Sequence, residues 1–151
     1  MHPDDASLAA LAVPPAVKAA ALLHGVSGIY VALSAIQLLV SVTFFGPLAV
    51  MQWLNWALVL VGVLHVAVAG RVYRMRRPWG SVGLFGSLFS CGLVTGWVVA
   101  NVSFTIFSCM QLGALALTWT TLAAAPFALG PIRRAEAARA KLAESGLDLG
   151  F

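Results

Sequence analysis

Two long stretches of this chain contain no charged side chain: Asp, Glu, Lys and Arg are all missing from Ala19 to Gly70 and again from Gly80 to Ile132. Each stretch is about fifty residues long. A helix that crosses a bilayer needs roughly 20 apolar residues, so each block has room for two passes and a tight turn. Turn residues divide the blocks accordingly. Pro14–Pro15 opens a first span of about Ala16–Phe44, Gly46–Pro47 reverses the chain, and a second span runs from about Leu48 to Val72. A basic linker, Arg71 to Arg77, leads through Pro78-Trp79-Gly80 into a third span, about Ser81–Ala100. Asn101–Thr105 forms the next turn, and a fourth span, Ile106–Leu129, is expected to stop at Gly130–Pro131. A last helix, Ile132–Ser145, rich in Ala, Arg, Lys and Glu, should end at Gly146. The expectation is an all-α fold: a four-transmembrane-helix bundle, N-in/C-in, with a short cytoplasmic C-terminal helix. Its parts are a tail (1–15), a transmembrane domain (16–130) and a C-terminal helix and tail (131–151).

Within the spans, small and polar residues recur on one face. The seams are Ser27, Tyr30, Ser34, Gln37 and Ser41 in span one; Gln52, Asn55, Val59 and Gly62 in span two; Gly83, Ser87 and Ser90 in span three, with Asn101 at its end; and Gln111, Ala114, Thr118, Thr121 and Ala125 in span four. In lipid, small residues let helix backbones approach and Ser, Thr, Asn and Gln bond across helices. These seams should therefore face inward, with Val and Leu between them facing lipid. Aromatic residues mark depth instead. Phe44, Phe45, Trp53, Trp56, Trp97, Phe104 and Phe107 gather toward one interface, Tyr73 and Trp79 lie at the other, and Trp119 falls mid-span as a packing residue.

Composition agrees with the pattern. Hydrophobic residues make up 61% of the chain and charged ones 9%, against about 25% charged in a soluble domain. The net charge of +4 comes from nine basic residues that all flank the apolar blocks: Lys18; Arg71, Arg74, Arg76 and Arg77; Arg133, Arg134, Arg139 and Lys141. With four passes these groups fall on one side, which the positive-inside bias makes cytoplasmic. They therefore imply orientation rather than nucleic-acid binding. Arg71, Arg74, Arg76 and Arg77 are also placed to contact anionic lipid headgroups. Asp4 and Asp5 stand where a secretory leader would carry positive charge. Cys91 and Cys109 have neither metal-ligand spacing nor matched depth for a disulfide. The two hairpins match in length and polarity but not residue by residue, so an internal repeat is a weaker reading than a shared bilayer thickness.

Candidate chemistry narrows to His24 and His65, since an ionisable group inside a membrane is a functional candidate by default. Their sequence midpoint, 44.5, falls at the Phe45–Pro47 turn. In an antiparallel hairpin they therefore share one depth, and both border the polar seams. Two imidazoles at one depth can hold a haem b iron, with Lys18 and Arg71 near enough for its propionates. The plainer reading is two neutral histidines bonded to Ser, Asn or carbonyl groups. Protonating both would put two like charges in a low-dielectric site, so at least one should stay neutral near pH 7. Hydrolytic chemistry lacks its carboxylate, and no HExxH, phosphate loop or zinc motif occurs.

Pro14-Pro15-Ala-Val-Lys18 before the first span and Arg76-Arg77-Pro-Trp-Gly80 before the third resemble the corresponding segments of small bacterial four-helix integral membrane proteins of unknown function. The likeness covers roughly the first ninety residues in style and carries over no catalytic residue. The chain lacks the intramembrane glutamate of small multidrug exporters and the CxxC of vitamin-K-epoxide-reductase-like proteins. The reading that follows is a multi-pass inner-membrane protein without catalysis of its own: a scaffold or accessory subunit in the lipid bilayer, packed with itself as a homo-oligomer or within a larger membrane complex. No cofactor is required by that reading. The alternatives are a haem b- or quinone-associated redox subunit using His24 and His65, and a binder or carrier of a small lipophilic molecule.

Overall fold

The computed structural model describes residues 8–45, 49–75, 79–100 and 106–146; among them it has four helices and no strand. The helices are α1 (Pro15–Phe45), α2 (Ala49–Tyr73), α3 (Trp79–Ala100) and α4 (Ile106–Glu144). Three of them are long and apolar enough to cross a membrane, over Pro15–Val40, Gln52–Tyr73 and Cys109–Glu144, while the described apolar part of α3, Gly86–Val99, is shorter. The expected turns at Gly46–Pro47 and Asn101–Thr105, the residues Arg76 and Arg77, and the side chains of Ser41, Phe44, Phe45, Trp79 and Phe107 lie outside the described residues.

The burial pattern is the reverse of a water-soluble helical protein. Ser27, Ser34, Asn55, Ser87, Ser90, Gln111, Thr118 and Thr121 are buried, whereas Leu22, Ile29, Leu33, Leu60, Leu88 and Leu112 are exposed. Exposed apolar faces on this scale belong against lipid rather than water. The seam residues accordingly turn inward; Tyr30, Gln37, Gln52 and Val59 are half-buried.

α1 packs along α2 and α4, and α3 packs on α4 and more sparsely on α2. The α1–α2 crossing is closest at two glycines. A Cβ built on Gly28 would stand 2.5 Å from the Gly62 carbonyl oxygen, and one on Gly62 the same distance from the Gly28 carbonyl oxygen. Tyr30 lies over Gly113 of α4, where a Cβ would meet its hydroxyl oxygen at 2.6 Å. By contrast, Gly86, Gly92 and Gly96 of α3 have open space where a Cβ would go. The second hairpin thus does not repeat the glycine crossing of the first.

Two findings depart from the sequence expectations. First, α4 does not stop at Gly130–Pro131 but runs unbroken to Glu144 through Pro126 and Pro131. An interior proline costs about 3 kcal/mol. Here the far side of Pro131 is held by packing: Ile132, Ala135, Ala138 and Leu142 are all buried, and Ile132 and Ala135 join Val17, Ala20, Val72 and Met75 in one apolar cluster. Arg139 adds donated bonds to the carbonyls of Met75 (2.7 Å) and Arg74 (3.0 Å) beyond the end of α2. Met75 adopts φ +49°, which costs a non-glycine residue about 1–2 kcal/mol, and its buried side chain offsets that. Gly146, with φ +82°, follows the end of α4 as expected.

Second, two tryptophans exchange roles. Trp97, assigned to the interfacial belt, is 1% exposed and packs with Leu58, Val94 and Ala114. Its indole N–H donates to Asn55 Oδ1 at 2.8 Å. Trp119, assigned to packing, is 52% exposed and donates to Thr95 Oγ1 at 3.3 Å. Position along a helix follows from sequence, but rotation about the helix axis does not. Asn55→Ala should therefore destabilise the fold by about 1 kcal/mol, since interhelical bonds in membranes average about 0.6 and reach about 1.7 kcal/mol. Asn55→Asp, which keeps the acceptor oxygen, should not restore stability because it adds an uncompensated charge. Thermal denaturation in detergent measures both.

Candidate functional site: a histidine–serine quartet beside a cleft

α1 and α2 bring His24 and His65 together because their Gly28–Gly62 crossing lies next to both. The ring centroids are 5.5 Å apart with planes tilted by 31°, and both rings are buried. Each ring reaches α3. His24 Nε2 is 3.0 Å from Ser87 Oγ, and His65 Nε2 is 2.7 Å from Ser90 Oγ. Ser87 and Ser90 lie one turn apart, so the two imidazoles meet α3 at nearly the same level.

Hydrogen placement follows from which atoms can donate. The Ala20 carbonyl can only accept, so His24 Nδ1 carries a hydrogen and donates to it at 2.8 Å. Ser87 and Ser90 donate to the Gly83 and Gly86 carbonyls at 2.8 and 2.7 Å. Where Ser90 gives its hydrogen to the Gly86 carbonyl, His65 Nε2 supplies one to Ser90 Oγ and Nδ1 is a bare lone pair; where Ser90 gives it to His65 Nε2, Nδ1 carries the hydrogen. His65 Nδ1 has no hydrogen-bond partner among the described residues, and Ser27 Oγ also lacks one. A buried polar atom left this way costs roughly 1–3 kcal/mol.

The same four side chains line a cleft of about 170 Å³ between α2 and α3, walled by Val61, Leu64, Val68 and Phe89. Leu64 and Phe89 are exposed, so the cleft opens on the outer, apolar surface. Gly83 and Gly86 of α3 both line it, and at Gly86 a Cβ would meet nothing within 4 Å. A second space next to His24, bounded by Ala20, Val72 and Ile132, is only about 10 Å³, the size of about one water.

A haem iron between the rings would need one nitrogen from each imidazole turned into the gap. Both Nε2 atoms are instead engaged by α3 and His24 Nδ1 by its own helix, so three of the four ring nitrogens are committed elsewhere. The haem b alternative fits poorly. No group of three or more metal-ligating side chains occurs among the described residues. Cys91 is buried and Cys109 exposed, and both are free thiols.

Of the other proposed contacts, Asn55 and Gln111 are buried, while Arg71 and Arg74 are exposed at the end of α2. The sequence reading placed Ser87 and Ser90 in a seam without linking them to the histidines. The midpoint of 65 and 90 is 77.5, at the basic turn, so the depth argument applied to that turn would have paired His65 with Ser90. Phe89, Leu64 and Gly86 gave no comparable signal. No protein-family model, curated protein or solved structure matches this chain.

Proposed function

We propose that this chain is a four-span protein of the bacterial inner membrane, with both termini and the basic turn on the cytoplasmic side. We further propose that it acts by binding, without chemistry of its own, as an accessory protein that takes a small lipophilic molecule into the α2–α3 cleft. The observation that carries this reading is the cleft itself: an apolar wall open toward lipid, with four polar side chains gathered at one place in it. Binding sites for small molecules are mostly apolar concavities with a few convergent polar groups. A bare scaffold has no need of such a space.

The four-span reading is supported by length. The 22 residues of α3 extend about 33 Å, close to the roughly 30 Å hydrocarbon core. The 39 residues of α4 extend about 58 Å, so its basic end must stand well outside that core. The orientation is supported by the cluster that joins Val17, Val72, Met75 and Ala135. It gathers Lys18, Arg71, Arg74 and Arg139 at one end of the molecule, as the positive-inside bias requires.

Reporter fusions at Gly46 and Ser103 should read outside, and fusions at Arg76 and the C-terminus inside. An outside reading at Arg76 would overturn the topology. For the cleft, Gly86→Leu is the decisive variant: Gly86 lines the cleft and a Cβ there meets nothing within 4 Å, so the larger side chain is expected to occupy the site without a clash. Lipophilic solutes that raise the melting temperature of the purified protein should lose that effect in Gly86→Leu. Equal stabilisation of both proteins would place binding elsewhere. Protein purified in mild detergent should show no haem absorption band; a stoichiometric band would move the reading to the redox alternative.

A further inference from the structure

We infer, on the basis of the cleft-binding and topology readings above, that the lipophile is a single-chain lipid acid of the cytoplasmic leaflet, about twelve carbons long, with its chain in the α2–α3 cleft and its carboxylate at Arg71 and Arg74.

The cleft has one closed end and an open side. Toward the outer end α2 and α3 come together: Leu58, Val94 and Trp97 pack in one cluster, and the Trp97 indole donates to Asn55. Leu58 lies one turn beyond Val61, and Val94 one turn beyond Ser90, the last cleft residues on each helix in that direction. A chain entering past the exposed Leu64 and Phe89 therefore meets a wall at that end and extends only toward the basic turn. Inside, Ser87 and Ser90 are each already within hydrogen-bond distance of a histidine nitrogen and a backbone carbonyl. They hold α3 beside the histidines, and recognition of a charged group falls to the rim.

That rim is basic. Leu64, Val68 and Arg71 recur at helical spacing, so Arg71 continues the stripe of α2 that edges the cleft, and Arg74 follows one turn on. Both arginines are exposed, and neither α2 nor α3 carries an acidic residue. An anionic head at this level meets two guanidiniums, which bind carboxylates through charge-assisted hydrogen bonds, while its chain lies along Val68, Leu64 and Val61.

Length and volume agree on the chain. From Val61 to Arg71 is ten residues, a rise of about 15 Å, and an extended twelve-carbon chain is about 14 Å long at ordinary C–C bond lengths. A water takes about 10–15 Å³ by the measure that gives the cleft about 170 Å³, so the cleft holds about a dozen non-hydrogen atoms. That is one chain, not the two of a phospholipid.

Dodecanoate and dodecan-1-ol share a chain and differ in the charged head. Their binding to the full chain should be measured in phosphatidylcholine nanodiscs at equal concentrations in the bilayer, at alkaline pH so that the acid is ionised. The acid is expected to bind about tenfold more tightly. The double variant Arg71→Gln, Arg74→Gln should remove that advantage and leave the affinity of the alcohol as it was, which also reports that the variant is folded. Gly86→Leu should abolish binding of both. Hexadecanoate should bind no more tightly than dodecanoate, because the wall at Leu58 and Trp97 stops a longer chain. Phosphatidylglycerol added in an amount equal to the dodecanoate should not displace it; displacement would give the site to a two-chain phospholipid and overturn the inference. If acid and alcohol bind the unmutated protein alike, if the double variant keeps the advantage of the acid, or if hexadecanoate binds more tightly, the lipid-acid inference is wrong, and loss of binding in Gly86→Leu leaves the cleft reading standing. If neither compound binds, or both bind Gly86→Leu unchanged, the cleft reading fails as well.

Discussion

Gly28→Leu and Gly62→Leu should each separate α1 from α2 and leave little folded protein. At this crossing the two backbones touch: each missing Cβ would sit 2.5 Å from the other glycine's carbonyl oxygen, and that on Gly62 would also lie 2.7 Å from Ala32 Cβ. Carbonyl oxygens in a helix cannot swing away as the end of a flexible side chain can. Relief therefore requires the helices to move apart, which strips contact from Val31, Ala35 and Leu58 in the core beside them. Overpacking in a protein interior costs about 1–3 kcal/mol when side chains can adjust, and a backbone-limited contact should lie at or above the top of that range. Even alanine should be destabilising here. The matched control is Gly96→Leu on α3, whose Cβ meets nothing within 4 Å and which should fold normally. Monodispersity and melting temperature in detergent distinguish the two classes. Wild-type stability in both Gly28→Leu and Gly62→Leu would show that the crossing is not where the helices meet.

The residues of this crossing are legible in the sequence itself. Small residues in an uncharged helix serve close approach in lipid, and Gly28 and Gly62 border the seams that hold Ser27, Ser34 and Asn55. The depth of His24 and His65 was equally accessible, because two helices rising equally from one turn carry equidistant residues to the same level. What sequence leaves open is rotation about each helix axis. Trp97 and Trp119 show this: a rule about depth placed Trp97 at an interface, whereas its azimuth turns it onto Asn55. The cleft was hidden for the same reason. Gly83 looks like any small packing residue and does lie 3.2 Å, by its built Cβ, from Val68, while Gly86 one turn on faces open space. The difference between a contact and a cavity is a fraction of a turn, which residue type does not encode.

The continuity of α4 departs from the expected stop for a different reason, and Ile132→Asp tests the physics that overrides the local rule. Gly130–Pro131 is a strong stop when a helix end is free. Beyond it, however, Ile132, Ala135, Ala138 and Leu142 recur at helical spacing, and all are buried. Val72 of α2, Met75 just beyond it and Val17 and Ala20 of α1 form the surface on which Ile132 and Ala135 dock, and Arg139 bonds to the Met75 and Arg74 carbonyls. The docked segment thereby offsets the proline penalty and keeps α4 continuous. An aspartate at 132 would bury an unpaired carboxylate in that cluster, at about 3 kcal/mol or more. The segment should then peel away from α2 and lose its helical backbone, so that trypsin cuts at Arg133, Arg134, Arg139 and Lys141, which docking holds in a helix. The spans should remain inserted, since their own packing lies farther along the helices. Ala137→Asp introduces the same charge on the exposed face of the next turn and should leave the cleavage rate near that of the unmutated protein. Limited proteolysis of both variants in nanodiscs gives the comparison. Cleavage that is fast in the unmutated chain, or equally slow in all three, would mean that docking on α2 does not hold the end of α4.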